Sequence, residues 1–193
     1  MTNIISKHLK SSLDSLIKIQ KKTKKIEEIS YLIEKKIKLN KKIFVYGNGG
    51  SFADSSHFVG ELTATYNKKN RRPLPFYLLG SNMAAITAWS NDFNFDDYIA
   101  RELSCYAASG DIVILFSTSG GNIKEKQSLN LIKIAKMAKK KKINIICFLG
   151  KDGGALKKIA DKLIIINSQN IGNIQEMHKI IFHSICAYLD QKF

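Results

Sequence analysis

Apolar positions in the first 38 residues recur at helical spacing, at Ile5, Leu9, Leu13, Leu16 and Ile17 and again at Ile29, Leu32 and Ile33. Residues three and four apart share one face of a helix, so residues 3–38 read as helical. The basic stretch Lys21–Lys25 interrupts the stripe and marks a break between two helices. From residue 43 the pattern changes. Short continuous apolar runs stand at Ile43–Tyr46, Phe76–Leu79, Ile112–Phe116, Ile143–Leu149 and Leu163–Ile166, bounded by Gly, Asn, Ser or Asp. Helical periodicity fills the intervals at 52–66, 83–90, 97–108, 123–140, 154–160 and 173–190. Strand-length runs without polar alternation, separated by helices, belong to a parallel sheet covered on both faces. The expected fold is α/β: a five-stranded parallel sheet flanked by helices, a three-layer sandwich of flavodoxin or Rossmann type. A helical arm over residues 1–40 precedes an α/β core over 41–193, in one domain.

The length of 193 residues supports that single domain and its buried core. No stretch reaches the roughly 18 consecutive apolar residues of a membrane span, and the first residues lack the apolar core of a secretory signal. Cys105, Cys147 and Cys186 are odd in number and widely spaced, as expected of reduced thiols in a cytoplasmic protein. The net charge of +15 raises the question of nucleic acid. Its lysines, however, are spread over Lys21–Lys25, Lys35–Lys42 and Lys139–Lys142 with no interleaved aromatics, so no nucleic-acid partner is expected. A positive field suits a phosphorylated small molecule equally well.

In a parallel sheet, ligands bind beyond the carboxyl ends of the strands. Two loops there carry the relevant chemistry. Gly47-Asn48-Gly49-Gly50-Ser51 follows the first strand and opens a helix bearing His57 and Glu61. Ser117-Thr118-Ser119-Gly120-Gly121-Asn122 follows the third and is expected to open the next long helix. Hydroxyls and free N–H groups at helix starts cradle phosphate; as bland tight turns, the same residues would serve as positive-φ glycines and N-caps. Two such loops at equivalent strand ends favour a ligand, with Ser51 and Asn122 among its contacts. Neither loop is a Walker or dinucleotide fingerprint.

His57 and Glu61, four apart, place an imidazole and a carboxylate on one helix face. Further metal-capable groups lie at Gln175, His178 and His183. Gln175 and His183 are separated by about 12 Å of helix rise and about 80° of rotation. They meet on one ion only by leaning together or with help from a neighbouring subunit, whereas Gln175 and His178 form a tighter pair. Spacing leaves both choices open. Imidazole, carboxylate and amide oxygen together suit zinc in a catalytic site.

The motifs Gly47–Ser51, His57-Phe58-x-x-Glu61-Leu62, Asn91-Asp92-Phe93, Ser117–Gly120, Gly150-Lys151-Asp152-Gly153-Gly154 and Ile174-Gln175-Glu176-x-His178 occur in this order. In that series the chain resembles the sedoheptulose 7-phosphate isomerase (phosphoheptose isomerase) family of the sugar isomerase (SIS) domain group, over nearly its whole length. The resemblance implies a SIS-type fold assembled as a homotetramer with active sites at subunit interfaces. It implies one Zn2+ per subunit on His57, Glu61, Gln175 and His183. It also implies substrate contacts at Asn48, Gly49, Gly50, Glu61, Asn91, Asp92, Ser117, Thr118, Ser119 and Gln175. Three departures stand out. Gly121-Asn122 replaces Asn-Ser, Thr65 replaces an arginine for which Arg71 or Arg72 is the available substitute, and Gly172 replaces a polar residue.

The implied activity converts sedoheptulose 7-phosphate to D-glycero-D-manno-heptose 7-phosphate, a heptose precursor for lipopolysaccharide or capsule. An enediol route needs a base over C1 and C2 and an acid at the carbonyl oxygen; the resemblance assigns Glu61 and His183. Two readings compete: a non-catalytic SIS scaffold for a DNA-replication initiator, and a sugar-phosphate sensor. The scaffolds lack the glutamate and second histidine that this chain has, and a sensor would carry a DNA-binding motif or extra domain.

Overall fold

The computed structural model describes residues 3–193; the first two positions of the expected arm lie outside it. Two helices, α1 (Ile4–Gln20) and α2 (Thr23–Lys38), are separated at the lysine-rich break. Asn3 caps α1, its side-chain oxygen accepting from the Ser6 N–H at 3.0 Å. The core then runs β1 (Ile43–Gly47), α3 (Gly50–Thr63), β2 (Phe76–Leu78), α4 (Met83–Asp92), α5 (Phe95–Tyr106), β3 (Ile112–Ser117), α6 (Leu129–Lys140), β4 (Asn144–Gly150), β5 (Lys162–Ile166) and α7 (Ile171–Lys192).

All five strands are parallel, in the order β2-β1-β3-β4-β5. Successive strand side chains enter opposite layers. Ile43, Val45, Ile112, Ile114, Phe116, Ile146 and Phe148 join one buried cluster with Ile33, Phe58, Ile181 and Phe182 from α2, α3 and α7. Phe44, Tyr46, Val113, Leu115, Ile145, Cys147 and Leu149 join a second with Ile99, Leu103, Ile134 and Ala135 from α5 and α6. Burial on both faces is why the strands read as unbroken apolar runs.

Two expected helices are shortened. The pattern over 123–140 becomes α6 only from Leu129, because Asn122 and Gln127 pair through reciprocal backbone bonds of 3.0 and 2.9 Å. The chain between them makes a closed excursion, and Lys126 and Ser128 adopt positive φ where it turns back. The pattern over 154–160 becomes a single 3₁₀ turn, Ala155–Lys158, enough for Leu156 to reach the core.

The arm packs in an unexpected sense. α1 lies on α7 through its polar side: His8 Nε2 is 2.8 Å from Glu176, and the Ser12 and Ser11 hydroxyls donate to Glu176 and Asn173 at 2.6 and 2.7 Å. Its apolar stripe, Ile5, Leu9, Leu13 and Ile17, faces outward.

Candidate active site

The strand order changes direction between β1 and β3, the switch point where crevices form in such sheets. The two glycine-rich loops therefore lie side by side at the carboxyl end of the sheet. In the first, Gly49 holds φ 55° and α3 begins at Gly50. A Cβ on Gly50 would meet the Gln175 amide at 2.1 Å, so glycine there lets α7 lay Gln175 across the start of α3. Ser51 is buried at the same turn. In the second loop the Ser117 hydroxyl accepts from the Gly120 N–H at 2.9 Å, and Ser119 accepts from Gly121 at 3.3 Å. The Gly120 and Gly121 carbonyls accept from Leu156 and Ala155, each at 2.9 Å. The 3₁₀ turn Ala155–Lys158 thus braces the loop from behind, and half-buried Thr118 and Ser119 remain at its crest.

Asn122 does not stand at the start of α6 as expected. Its side-chain oxygen accepts from the Lys124 and Glu125 N–H groups at 3.0 and 3.3 Å, inside the excursion it opens. Because the excursion closes on itself, Gly121 leads structurally to Ser128, the residue before α6. Ser128 and the buried Asn130 were missed by the sequence reading. The signal for the true helix start was Ser128 directly ahead of the apolar run Leu129, Leu131, Ile132 and Ile134.

α3 and α7 run in the same direction, since both leave strand carboxyl ends and meet at Gly50 with Gln175 and again at Phe58 with Phe182. Two turns below Gln175, His57, Glu61 and His183 converge. Ligand atoms of the three lie within 4.8 Å of one another. His57 Nε2 is 2.8 Å from Glu61 Oε1, and the His57 and His183 rings are 5.1 Å apart. Tyr66 stacks on His183 at 5.6 Å and Phe182 meets it edge-on at 4.5 Å. Burial, with the charge of His57, holds the His183 imidazole below its ordinary pKa, Glu61 opposing.

His178, the alternative left open by spacing, points the other way. It is fully buried against Phe116, and neither ring nitrogen has a hydrogen-bond partner among the described residues. Burial lowers its pKa to about 3, with only the Leu149 backbone opposing. It is a neutral core residue. Gln175 stays at the Gly50 end of the helix pair, about 12 Å of rise from His183.

Arg71 does not replace the missing arginine. Its guanidinium is buried in an ion pair with Asp190 at 2.6 Å and donates to the carbonyls of Leu62 and Glu61 at 2.9 and 2.7 Å. It caps the C-terminal end of α3, and no donor is left over for a ligand. Arg72 sits over the Phe193 ring, 4.9 Å from its centre. Asn91 and Asp92 end α4, exposed, their side chains 2.9 Å apart; neither bonds to a ligand loop among the described residues.

Comparisons with known proteins agree on one group. The SIS domain family matches residues 7–150. Over 157 residues the chain is 40% identical to a phosphoheptose isomerase of Nitratiruptor, covering 81% of this chain and 80% of that protein. Over 195 residues it is 35% identical to a phosphoheptose isomerase of Clostridium acetobutylicum, covering 100% and 96%. A phosphoheptose isomerase structure from Francisella tularensis superposes with a TM-score of 0.90 at 28% identity, covering 97% of this chain and 96% of that one.

Proposed function

The chain belongs to the phosphoheptose isomerase family of SIS-domain proteins, and we propose that it interconverts sedoheptulose 7-phosphate and D-glycero-D-manno-heptose 7-phosphate. The observation that carries this reading is the convergence of His57, Glu61 and His183 on two helices, one opening at the first glycine-rich loop and the other packed against it through Gln175. Turning a ketose into an aldose removes a proton from C1, returns one to C2, gives O2 a proton and takes one from O1. Glu61 is the base over the carbon pair, and His183 is the acid at O2. A neutral, partly buried imidazole, its pKa held below the ordinary value, can give its N–H proton to that oxygen and take it back in the reverse direction. Asn48, Gly49, Gly50 and Ser51 hold the substrate from one side, Ser117, Thr118 and Ser119 from the other, with Asn91, Asp92 and Gln175 completing its contacts.

The donor set fits zinc. Two imidazoles and one carboxylate within 4.8 Å match the three-ligand set of a catalytic zinc that keeps an open position. His57, Glu61 and His183 would hold the ion, with Gln175 as the family's fourth ligand. When bound, zinc supplies Lewis-acid polarisation of the sugar oxygens. Since Gln175 lies two turns from His183, it would reach the ion by leaning along the helix or from a neighbouring subunit.

The second route fits a homotetramer with sites at subunit interfaces. Two features support it: the outward apolar stripe of α1, with Ile5 at 72% and Leu9 at 63% exposure, and α4, which has no buried residue. Incubating the purified protein with sedoheptulose 7-phosphate and detecting an aldoheptose phosphate tests the activity. Glu61→Gln and His183→Ala should each lower kcat about a thousandfold or more while the folded circular dichroism spectrum persists. Wild-type turnover in either variant removes the role given to that residue. Metal analysis should find zinc at about one per subunit, and chelation should suppress activity restorable by zinc.

A further inference from the structure

Tyr46, Asn48 and Asn130 form a closed hydrogen-bond ring between the end of β1 and the first turn of α6. The Leu131 N–H donates to Asn130 Oδ1 at 3.0 Å, and a backbone N–H can only donate, so the orientation of the Asn130 amide is settled. Asn130 Nδ2 then donates to Asn48 Oδ1 at 2.7 Å and to the Tyr46 hydroxyl at 3.3 Å. Asn48 Nδ2 donates back to Asn130 Oδ1 at 3.0 Å, and the Tyr46 hydroxyl donates to Asn48 Oδ1 at 3.1 Å. Both amide oxygens accept twice, both Asn130 N–H groups are used, and the tyrosine both donates and accepts. One side-chain donor in the ring is unspent: the second N–H of Asn48.

We propose that Asn130 and Tyr46 are positioning residues that aim this N–H at an oxygen of the bound sugar phosphate. The proposal rests on the phosphosugar reading of the site, in which Asn48 is a substrate contact. Asn130 is 1% exposed and does not touch ligand itself. A buried amide is costly unless fully bonded, so turning Asn48 over would set amide against amide and carbonyl against carbonyl. The ring therefore fixes a single Asn48 rotamer. It also ties the first ligand loop to the helix that follows the second, across the closed excursion 122–127.

The test compares wild type, Tyr46→Phe, Asn130→Asp, Asn48→Ala and the two doubles with Asn48→Ala. Isomerisation kinetics and calorimetric binding of sedoheptulose 7-phosphate are the readouts. Tyr46→Phe should raise KM about three- to tenfold with kcat within about twofold, the worth of one neutral hydrogen bond. Asn130→Asp should raise KM further, because its carboxylate would face Asn48 Oδ1. Both effects should vanish in the Asn48→Ala background, where there is no amide left to aim. An undiminished loss in that background, or an unchanged KM in Tyr46→Phe, overturns the positioning role. Should Asn130→Asp fail to fold, the Tyr46 cycle decides alone. Wild-type protein that binds no sugar phosphate overturns the phosphosugar reading instead.

Discussion

His178 and His183, five residues apart on α7, show how one helix turn divides chemistry from core. His183 stands partly buried with His57 and Glu61; His178 is enclosed against Phe116, its nitrogens without a hydrogen-bond partner among the described residues. The buried ring has a measurable consequence. In the unfolded chain it takes a proton near its ordinary value of 6.5, whereas the folded core holds it to about 3. Between those values the unfolded state binds more protons, so stability is lost as pH falls below 6.5 toward 3 and is unaffected above. The loss approaches about 5 kcal/mol at the acid end. Urea unfolding at about pH 8 and about pH 5 should show it, and His178→Leu should flatten the difference. Equal pH slopes for wild type and variant would refute this account of His178.

The decisive relation between elements is the side-by-side run of α3 and α7. Their upper contact needs Gly50, where a Cβ would strike the Gln175 amide at 2.1 Å; their lower contact builds the His57–Glu61–His183 cluster. Gly50→Ala separates fold from site, because Gly50 lies at a helix start with ordinary φ. It should leave the melting temperature unchanged or raise stability by about 0.5 kcal/mol, since Ala is the better helix former. By displacing Gln175 it should cut zinc affinity or kcat/KM by about tenfold or more. A variant with wild-type metal affinity and kinetics would show that Gln175 need not lie there. Gly120→Ala has the opposite balance. Its φ of 72° and an added Cβ only 2.0 Å from the Gly153 carbonyl should lower stability by about 2 kcal/mol or more, seen as a reduced urea midpoint.

At the scale of the molecule, the arm turns its apolar stripe outward instead of onto its own core, and in the proposed homotetramer that stripe is the surface that joins subunits. Leu9→Asp with Leu13→Asp should leave each chain folded, because α1 holds to α7 through His8, Ser11 and Ser12. The pair should dissociate the proposed homotetramer in size-exclusion chromatography at micromolar concentration and lower activity by about a hundredfold, as sites at subunit interfaces require. Retained assembly would place the interface elsewhere. The sequence by itself determined the five strands, the break at Lys21–Lys25 and the loops at Gly47–Ser51 and Ser117–Gly120. Apolar periodicity and glycine placement follow from local backbone geometry and two-sided burial, both readable along the chain. It also supplied His57 and Glu61, which one helix turn brings together. Only the tertiary structure enclosed His178 in the core, spent Arg71 on Asp190, closed the excursion at Asn122 and Gln127, and paired Asn48 with Asn130. Those outcomes depend on which faces of distant helices meet, and on whether a donor is already used elsewhere. No spacing within a single helix records either.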